Sequence, residues 1–397
     1  MLTLDKVFNA QTVLKSIIRE TKLVRAYGVA DFCELYLKPE NLQITGSFKV
    51  RGSAYKIAML SDEEKSRGVI ACSAGNHAQG VALAATKNGI KSLICLPDNA
   101  PISKVEATKG YGADVCLVEG CYDDAYQKAL ELKESEGYTF VHPFDDENVI
   151  AGQGTIALEI LNDLDNIDAV VVPIGGGGLI SGIAYTIKQI RPSVKVYGVQ
   201  AAGAPSMYNS VKFGELESLS AVSTIADGIA VKRPGDNTYE FVKEYVDDIA
   251  LVTDDEVSTA ILTLIEKQKM IAEGAGATAV AAVMFDKFDL KGKRVVAVVS
   301  GGNIDVTSLS RVIDRGLLKS GRSSALLIEL IDKPGQLKEI SKIIADCGAN
   351  VTGVHYEKGN TESVNGCYLR IEMETRDFEH VKLITQTLRK EGFKIIK

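Results

Sequence analysis

Tryptophan is absent from this sequence of 397 residues, and histidine occurs four times, as His77, His142, His355 and His380. No spacing among those four gives a nucleophile, histidine and acid in series, so triad chemistry has no foothold. The seven cysteines, Cys33, Cys72, Cys95, Cys116, Cys121, Cys347 and Cys367, include no C-x-x-C pair and are odd in number. A zinc finger is thereby excluded and free, mostly buried thiols are expected. Basic blocks are missing too: the net charge is −7 and no basic stretch is interleaved with aromatics, which excludes a nucleic-acid partner. The longest strongly apolar runs, Ala169–Ile174 and Ala275–Phe285, fall short of the ~20 residues that a membrane helix needs. Asp5 interrupts the stretch where a secretory signal requires an apolar core, so a cytoplasmic protein is expected. Neither a low-complexity tract nor a short-period repeat occurs, which sets solenoids aside.

What is present is enough apolar matter to fold throughout. With 46% hydrophobic residues the chain can offset its conformational entropy, and its length calls for several folded units. From about Gly68 to Ile304, short Val/Ile-rich runs alternate with helical periodicity, the pattern of βαβ units and a mostly parallel sheet. Strands are expected at Val69–Cys72, Ser92–Leu96, Asp114–Val118, Ala169–Ile174, Lys195–Val199 and Arg294–Val299. Helices are expected at Ala78–Asn88, Tyr122–Ser135, Thr155–Asp163, Leu179–Ile190 and Asp255–Met270. The fold class is α/β. Near Asp314–Ser324, DRGLLKSGRSS reads as an aperiodic linker. Beyond it, ALLIELI, a helix in GQLKEISKIIADCG, strands in NVTGVHYEKG and VNGCYLRIEME, and a helix over Asp377–Glu391 give the β-α-β-β-α-β order of a ferredoxin-like module.

Four segments put glycine or small polar residues at a strand end or a helix start, where open α/β sheets bind ligands. Gly175, Gly176, Gly177 and Gly178 follow a buried strand and precede a helix at Leu179; converging backbone amides and the helix N-terminus suit a phosphate. The run matches neither a Walker pattern nor G-x-G-x-x-G, which weakens nucleotide readings. Lys49, in S-F-K-V-R-G beside apolar Phe48 and Val50, stands where desolvation lowers an amine's pKa and favours imine formation. By itself an isolated lysine is far more often a solvated surface charge. Ser73-Ala74-Gly75-Asn76-His77 follows a strand and opens a helix, fit either to hold a carboxylate or to cap the helix. Ser300-Gly301-Gly302-Asn303 follows another buried strand, and its hydroxyl suits a ring nitrogen or an ordinary turn.

In this order the four segments resemble the fold-type II pyridoxal phosphate enzymes, in particular the threonine ammonia-lyase (threonine dehydratase) and serine racemase branch, over essentially the whole chain up to the linker. The resemblance implies pyridoxal 5'-phosphate as cofactor, with Lys49 the imine-forming lysine and Phe48 packed beside the ring. It implies Asn76 as partner of the ring's 3′-oxygen, and Ser73, Ala74, Gly75, Asn76 and His77 as the loop that receives the substrate carboxylate. Gly175 to Gly178 with Leu179 match the phosphate loop and Ser300 the neutral partner of the pyridine nitrogen. The activity implied is deamination of L-threonine to 2-oxobutanoate and ammonia, and of L-serine to pyruvate, with Lys49 taking the α-proton. Glu273, in A-E-G-A-G-A, lies where the family approaches the cofactor, or is simply a helix-terminal carboxylate.

Racemising relatives carry a second serine in S-S-G-N-H, where this chain has Ala74, and a methyl group relays no proton. Elimination with little racemisation is expected. The tail resembles an ACT domain, a regulatory fold of amino-acid enzymes; Asp332, Gly335, Leu337 and Asn350 match its amino-acid site, and a branched-chain effector and a homo-oligomer are implied. The expected layout is a catalytic domain at 1–313, with a small subdomain over roughly 44–140, a linker at 314–323 and an ACT domain at 324–397. No metal is assigned, since Gln200 stands where the racemase branch has an acidic ligand. Alternatives that stay open are a serine dehydratase or racemase-type enzyme, a β-replacement enzyme, and a non-catalytic amino-acid sensor.

Overall fold

The computed structural model describes residues 2–358 and 366–396. The chain divides into two compact units, Met1–Leu309 and Ser310–Lys397.

The first unit is built on two sheets. The larger runs in the order Val24–Arg25, Glu34–Pro39, Arg294–Val299, Ala169–Pro173, Lys195–Ala201, Asp248–Val252. Only its first pairing is antiparallel. The central strand Ala169–Pro173 is buried at every residue, as expected of a parallel strand with helices on both faces. The smaller sheet, Asp114–Val118, Ser92–Pro97, Val69–Cys72, Thr139–Phe140, is parallel throughout. Six expected strands appear at their expected places, since each is an apolar run flanked by turn residues.

Two helices differ from expectation. The one expected from Thr155 begins at Glu147, where Asp146 caps the amides of Asn148 and Val149; Gly152 and Gly154 interrupt the apolar repeat there and hid the first two turns. The one expected to reach Met270 ends at Thr263 and passes through a π-turn over Leu264–Gln268 to Lys269, at φ +56°. Among the described residues no helix is long and apolar enough to cross a membrane.

The second unit is a four-stranded antiparallel sheet ordered Asn350–Lys358, Gly366–Glu374, Ser323–Ile331, Lys394–Ile395, with helices Gln336–Asp346 and Phe378–Lys390. This is the ferredoxin-like arrangement. Gly359, Val364 and Asn365, parts of the two middle strands as expected from sequence, lie outside the described residues. The expected linker is a correction: residues 314–319 continue the helix Val306–Lys319, and Ser323 already opens a strand. Val312 and Gly316 are its buried positions, four apart, while Arg311, Asp314 and Arg315 take the other faces; that spacing is helical, and the charge and the Gly/Ser punctuation around it read as a linker.

Candidate active site

Lys49 opens the helix Lys49–Ala58, and its placement follows from the strand Arg294–Val299. The Phe48 amide donates to the Ser300 carbonyl at 3.0 Å and the Gly302 amide to the Gly46 carbonyl at 2.9 Å, while Ser47 pairs with Gly301. Gly46 is at φ +70°, and a Cβ there would lie 2.2 Å from Asn303 Oδ1. Two segments some 250 residues apart by sequence are thus stitched together, which puts Lys49 and Ser300 in one wall.

Lys49 Nζ donates to the Pro143 carbonyl at 2.8 Å and stands 5.3 Å from the centre of the Phe48 ring. Burial pulls its pKa down to about 8, against the opposing pull of Glu273, so an appreciable share of the amine is neutral near neutral pH.

The tetraglycine loop leads from the strand Ala169–Pro173 into the helix Gly178–Ile190. Gly177 is its N-cap at φ +100°, and a Cβ there would meet Thr238 Cβ at 2.7 Å. At Gly176 a Cβ would run into the Phe144 ring at 2.5 Å. The glycines are therefore required by packing, which the sequence did not disclose. The Gly176 carbonyl is taken by Thr238 Oγ1 at 2.5 Å, and the first amides of the helix have no intrahelical acceptor.

Asn76 opens the helix Asn76–Lys87. Its Nδ2 donates to Glu273 Oε1 at 2.6 Å and its Oδ1 accepts from Asn303 Nδ2 at 2.7 Å. Glu273 is buried, and burial first, then Asp227, raises its pKa to about 7 against Asn76, Lys104 and Lys49. His77 Nε2 donates to the Val141 carbonyl at 2.8 Å, and burial followed by Lys49 lowers the ring's pKa to about 3. A neutral ring with its proton committed is a wall element and no base. Ser73 Oγ accepts from the Gly75 amide at 3.2 Å.

Phe48, Lys49, residues 73–77, Gly175–Leu179 and Ser300 all line one cavity of about 950 Å³. Glu273 and Asn303 line it too; the only sequence signal for Asn303 was its place three residues after Ser300. Asp332, Gly335, Leu337 and Asn350 belong to the other unit. Gly335, at φ +98°, caps the helix Gln336–Asp346, and Asn350 Nδ2 donates to Glu374 Oε2 at 3.1 Å. Among the described residues no group of three or more histidine, cysteine or acidic side chains could hold a metal ion.

An amine with a lowered pKa, a glycine loop at a helix N-terminus, an amide held in one orientation and a neutral hydroxyl fit a phosphorylated pyridine aldehyde. Residues 14–301 match the family model described as pyridoxal-phosphate dependent enzyme, and the chain belongs to that family. Along its whole length it is 49% identical to the L-threonine ammonia-lyase of Thermotoga maritima, covering 99% of that protein, and it is 42% identical to the one of Geobacter sulfurreducens over 99% of this chain and 98% of that one. Among solved structures, the processed form of threonine deaminase isoform 2 from Solanum lycopersicum superposes with a TM-score of 0.74 at 39% identity, over 79% of this chain and 94% of that one.

Proposed function

We propose that this chain is an L-threonine ammonia-lyase, a carbon–nitrogen lyase that converts L-threonine to 2-oxobutanoate and ammonia and L-serine to pyruvate. The observation that carries the reading is the half-buried amine of Lys49, its pKa down to about 8, in the same cavity as the tetraglycine loop, Asn76 and Ser300. When bound, pyridoxal 5'-phosphate supplies an electron sink for charge at the substrate's α-carbon. Lys49 would hold the cofactor through its amine and, with its pKa down to about 8, would serve as the group that takes the substrate's α-proton. Gly175 to Leu179 would present backbone amides to the cofactor's phosphate, and Ser300, uncharged, would partner its ring nitrogen. Asn76, its amide orientation held by Glu273 and Asn303, would be the partner of the ring's 3′-oxygen, and the loop from Ser73 to His77 would receive the substrate carboxylate. In the overall reaction the α-proton and the β-hydroxyl leave the substrate together as water, and a water molecule then releases the nitrogen as ammonia, leaving the 2-oxo acid.

The second unit is, in the same proposal, an ACT domain of residues 324–397 in which Asp332, Gly335, Leu337 and Asn350 take a branched-chain amino acid. Its ferredoxin-like strand order supports this. The enzyme is then a cytoplasmic homo-oligomer regulated by an amino acid, with isoleucine synthesis the route that such an effector controls. Calorimetry with isoleucine, valine and leucine checks the effector; no binding and no change in threonine kinetics would reject it.

The central test is to reconstitute the protein with pyridoxal 5'-phosphate, record the visible band of the lysine-bound cofactor (roughly 410 nm), and add L-threonine while 2-oxobutanoate is assayed. Colour and turnover are expected, with both lost in Lys49→Ala. A colourless wild-type protein defeats the reading.

A further inference from the structure

Two residues beyond Lys49, the side chain of Arg51 is wholly buried, as are those of Glu40 and Lys38, and Glu159 is nearly so. The guanidinium grips two carboxylates. Its Nε and Nη2 donate to Glu40 Oε2 and Oε1 at 2.8 Å each. Nη2 and Nη1 donate to Glu159 Oε2 and Oε1 at 2.8 and 2.6 Å, and Nη1 reaches Thr155 Oγ1 at 3.1 Å. Lys38 donates to Glu159 and to the Thr21 carbonyl, closing a cluster of two cations and two carboxylates. Four buried charges are tolerable only because they neutralise one another with their hydrogen bonds filled. None of the four lines the cavity, so contact with substrate does not explain them.

The cluster joins three pieces of backbone. Lys38 lies on the strand Glu34–Pro39 of the larger sheet and Glu40 directly follows it, Glu159 and Thr155 belong to the helix Glu147–Asp163, and Arg51 belongs to the first turn of the Lys49 helix. Glycines bring the same helices to backbone contact. A Cβ on Gly152 would lie 2.6 Å from the Arg51 carbonyl, and one on Gly80 3.2 Å from the Lys49 carbonyl on another helix. The helix Glu147–Asp163 in turn meets the helix of the glycine loop at Gly182, where a Cβ would lie 2.3 Å from the Ile150 carbonyl. A continuous stack therefore runs from the tetraglycine loop to Lys49, with Arg51 as a multiply bonded, direction-specific joint in it.

We propose that Arg51 is a positioning residue: held by Glu40 and Glu159, it fixes where the amine of Lys49 stands relative to the glycine loop. This rests on reading Lys49 as the imine-forming lysine. Arg51 sits within the same helical turn, so a shift at the clamp is passed on to Lys49, and a misplacement of about 1 Å at reacting atoms can cost on the order of 100-fold in rate. Lysine at position 51 keeps the charge but loses the planar fork that serves two carboxylates at once.

The test compares wild type, Arg51→Lys and Glu159→Gln, each loaded with pyridoxal 5'-phosphate. It reads kcat and KM for L-threonine, the pH dependence of the cofactor's visible band, and far-ultraviolet circular dichroism. Expected for Arg51→Lys is a fall in kcat of about tenfold or more, a KM within about threefold of wild type, and a shifted pH midpoint of the band with unchanged dichroism. Glu159→Gln, the milder lesion, moves kcat and the band in the same direction, and it decides the matter where Arg51→Lys does not fold. A folded variant with wild-type kcat and an unchanged band overturns the proposal. So does lower activity that tracks only a smaller folded fraction, since the cluster would then serve stability alone. Wild-type colour and turnover, measured first, separate the two readings: their absence defeats the role of Lys49, whereas an active wild type with indifferent variants defeats only that of Arg51.

Discussion

Asn76 is held between an acceptor and a donor: its Nδ2 meets Glu273 Oε1 at 2.6 Å while its Oδ1 takes a hydrogen bond from Asn303 Nδ2 at 2.7 Å. The pair fixes which way the amide faces, because exchanging its nitrogen and oxygen would set donor against donor at Asn303. It also fixes the surroundings of a buried carboxyl.

That carboxyl gives a pH prediction. Glu273 binds its proton more tightly folded than unfolded, its pKa raised to about 7 by burial and by Asp227. Its contribution to stability is fully present below the ordinary carboxylate value and is lost as pH rises through about 7. The melting temperature of wild type relative to Glu273→Gln should fall between about pH 5 and about pH 8. A difference that stays flat over that range would refute the assignment.

The glycine loop should not tolerate a methyl group. Alanine at 177 meets both an unfavourable φ of +100° and Thr238 at 2.7 Å; alanine at 176 meets the Phe144 ring at 2.5 Å. Each should cost about 1–3 kcal/mol of stability and weaken cofactor retention on dialysis. Thermal unfolding and the cofactor content after dialysis check both effects, and a variant that holds its cofactor like wild type counts against the loop as the phosphate site.

The strands were legible as apolar runs, and three of the four motifs, at Ser73, Gly175 and Ser300, follow directly on the ends of such runs. What joins the motifs was not. Arg51 finds Glu40 eleven residues away and Glu159 108 residues away, and no local pattern marks a charge that will be buried against partners so distant. Asn303 and Glu273 stood inside noticed segments, yet their tasks depend on Asn76, more than 190 residues off. Gly152 and Gly154 looked like breaks in a helix when they are its closest contacts.

Two ion pairs span the rim of the cavity. Lys104 reaches Asp227 at 2.8 Å and Lys232 reaches Asp123 at 3.0 Å, and all four residues line the cavity. Lys104 and Asp123 lie on helices that follow strands of the smaller sheet, whereas Asp227 and Lys232 belong to the segment that follows the larger sheet's strand Lys195–Ala201. Pairs of this kind with at least one exposed partner are worth about 0.2–1 kcal/mol each. Replacing Lys104 by Met should therefore change KM by no more than about fivefold and leave kcat nearly unchanged, and added salt should have a smaller effect on the variant than on wild type. A large fall in kcat would instead put Lys104 in contact with the reacting atoms.

Ala74 gives a prediction about the outcome at the α-carbon. It lines the cavity two residues before Asn76, in the loop opposite in sequence to Lys49, and its methyl group can neither give nor take a proton. With Lys49 as the proposed base for the α-proton, no group at position 74 is able to return a proton to the other face. Elimination should outrun racemisation: D-serine formed from L-serine should stay below about a tenth of the pyruvate formed. Ala74→Ser adds one hydroxyl, a change of oxygen for hydrogen on a half-buried residue, so the fold should survive it. If position 74 decides the partition, the variant raises the ratio of D-serine to pyruvate by about tenfold or more, a modest share of what a positioned acid or base supplies. Chiral chromatography of the amino acid alongside a pyruvate assay measures both products in one reaction. Wild-type racemisation that matched elimination would place a second base elsewhere in the cavity, and an unchanged ratio in Ala74→Ser would show that a hydroxyl at this position does not reach the α-carbon.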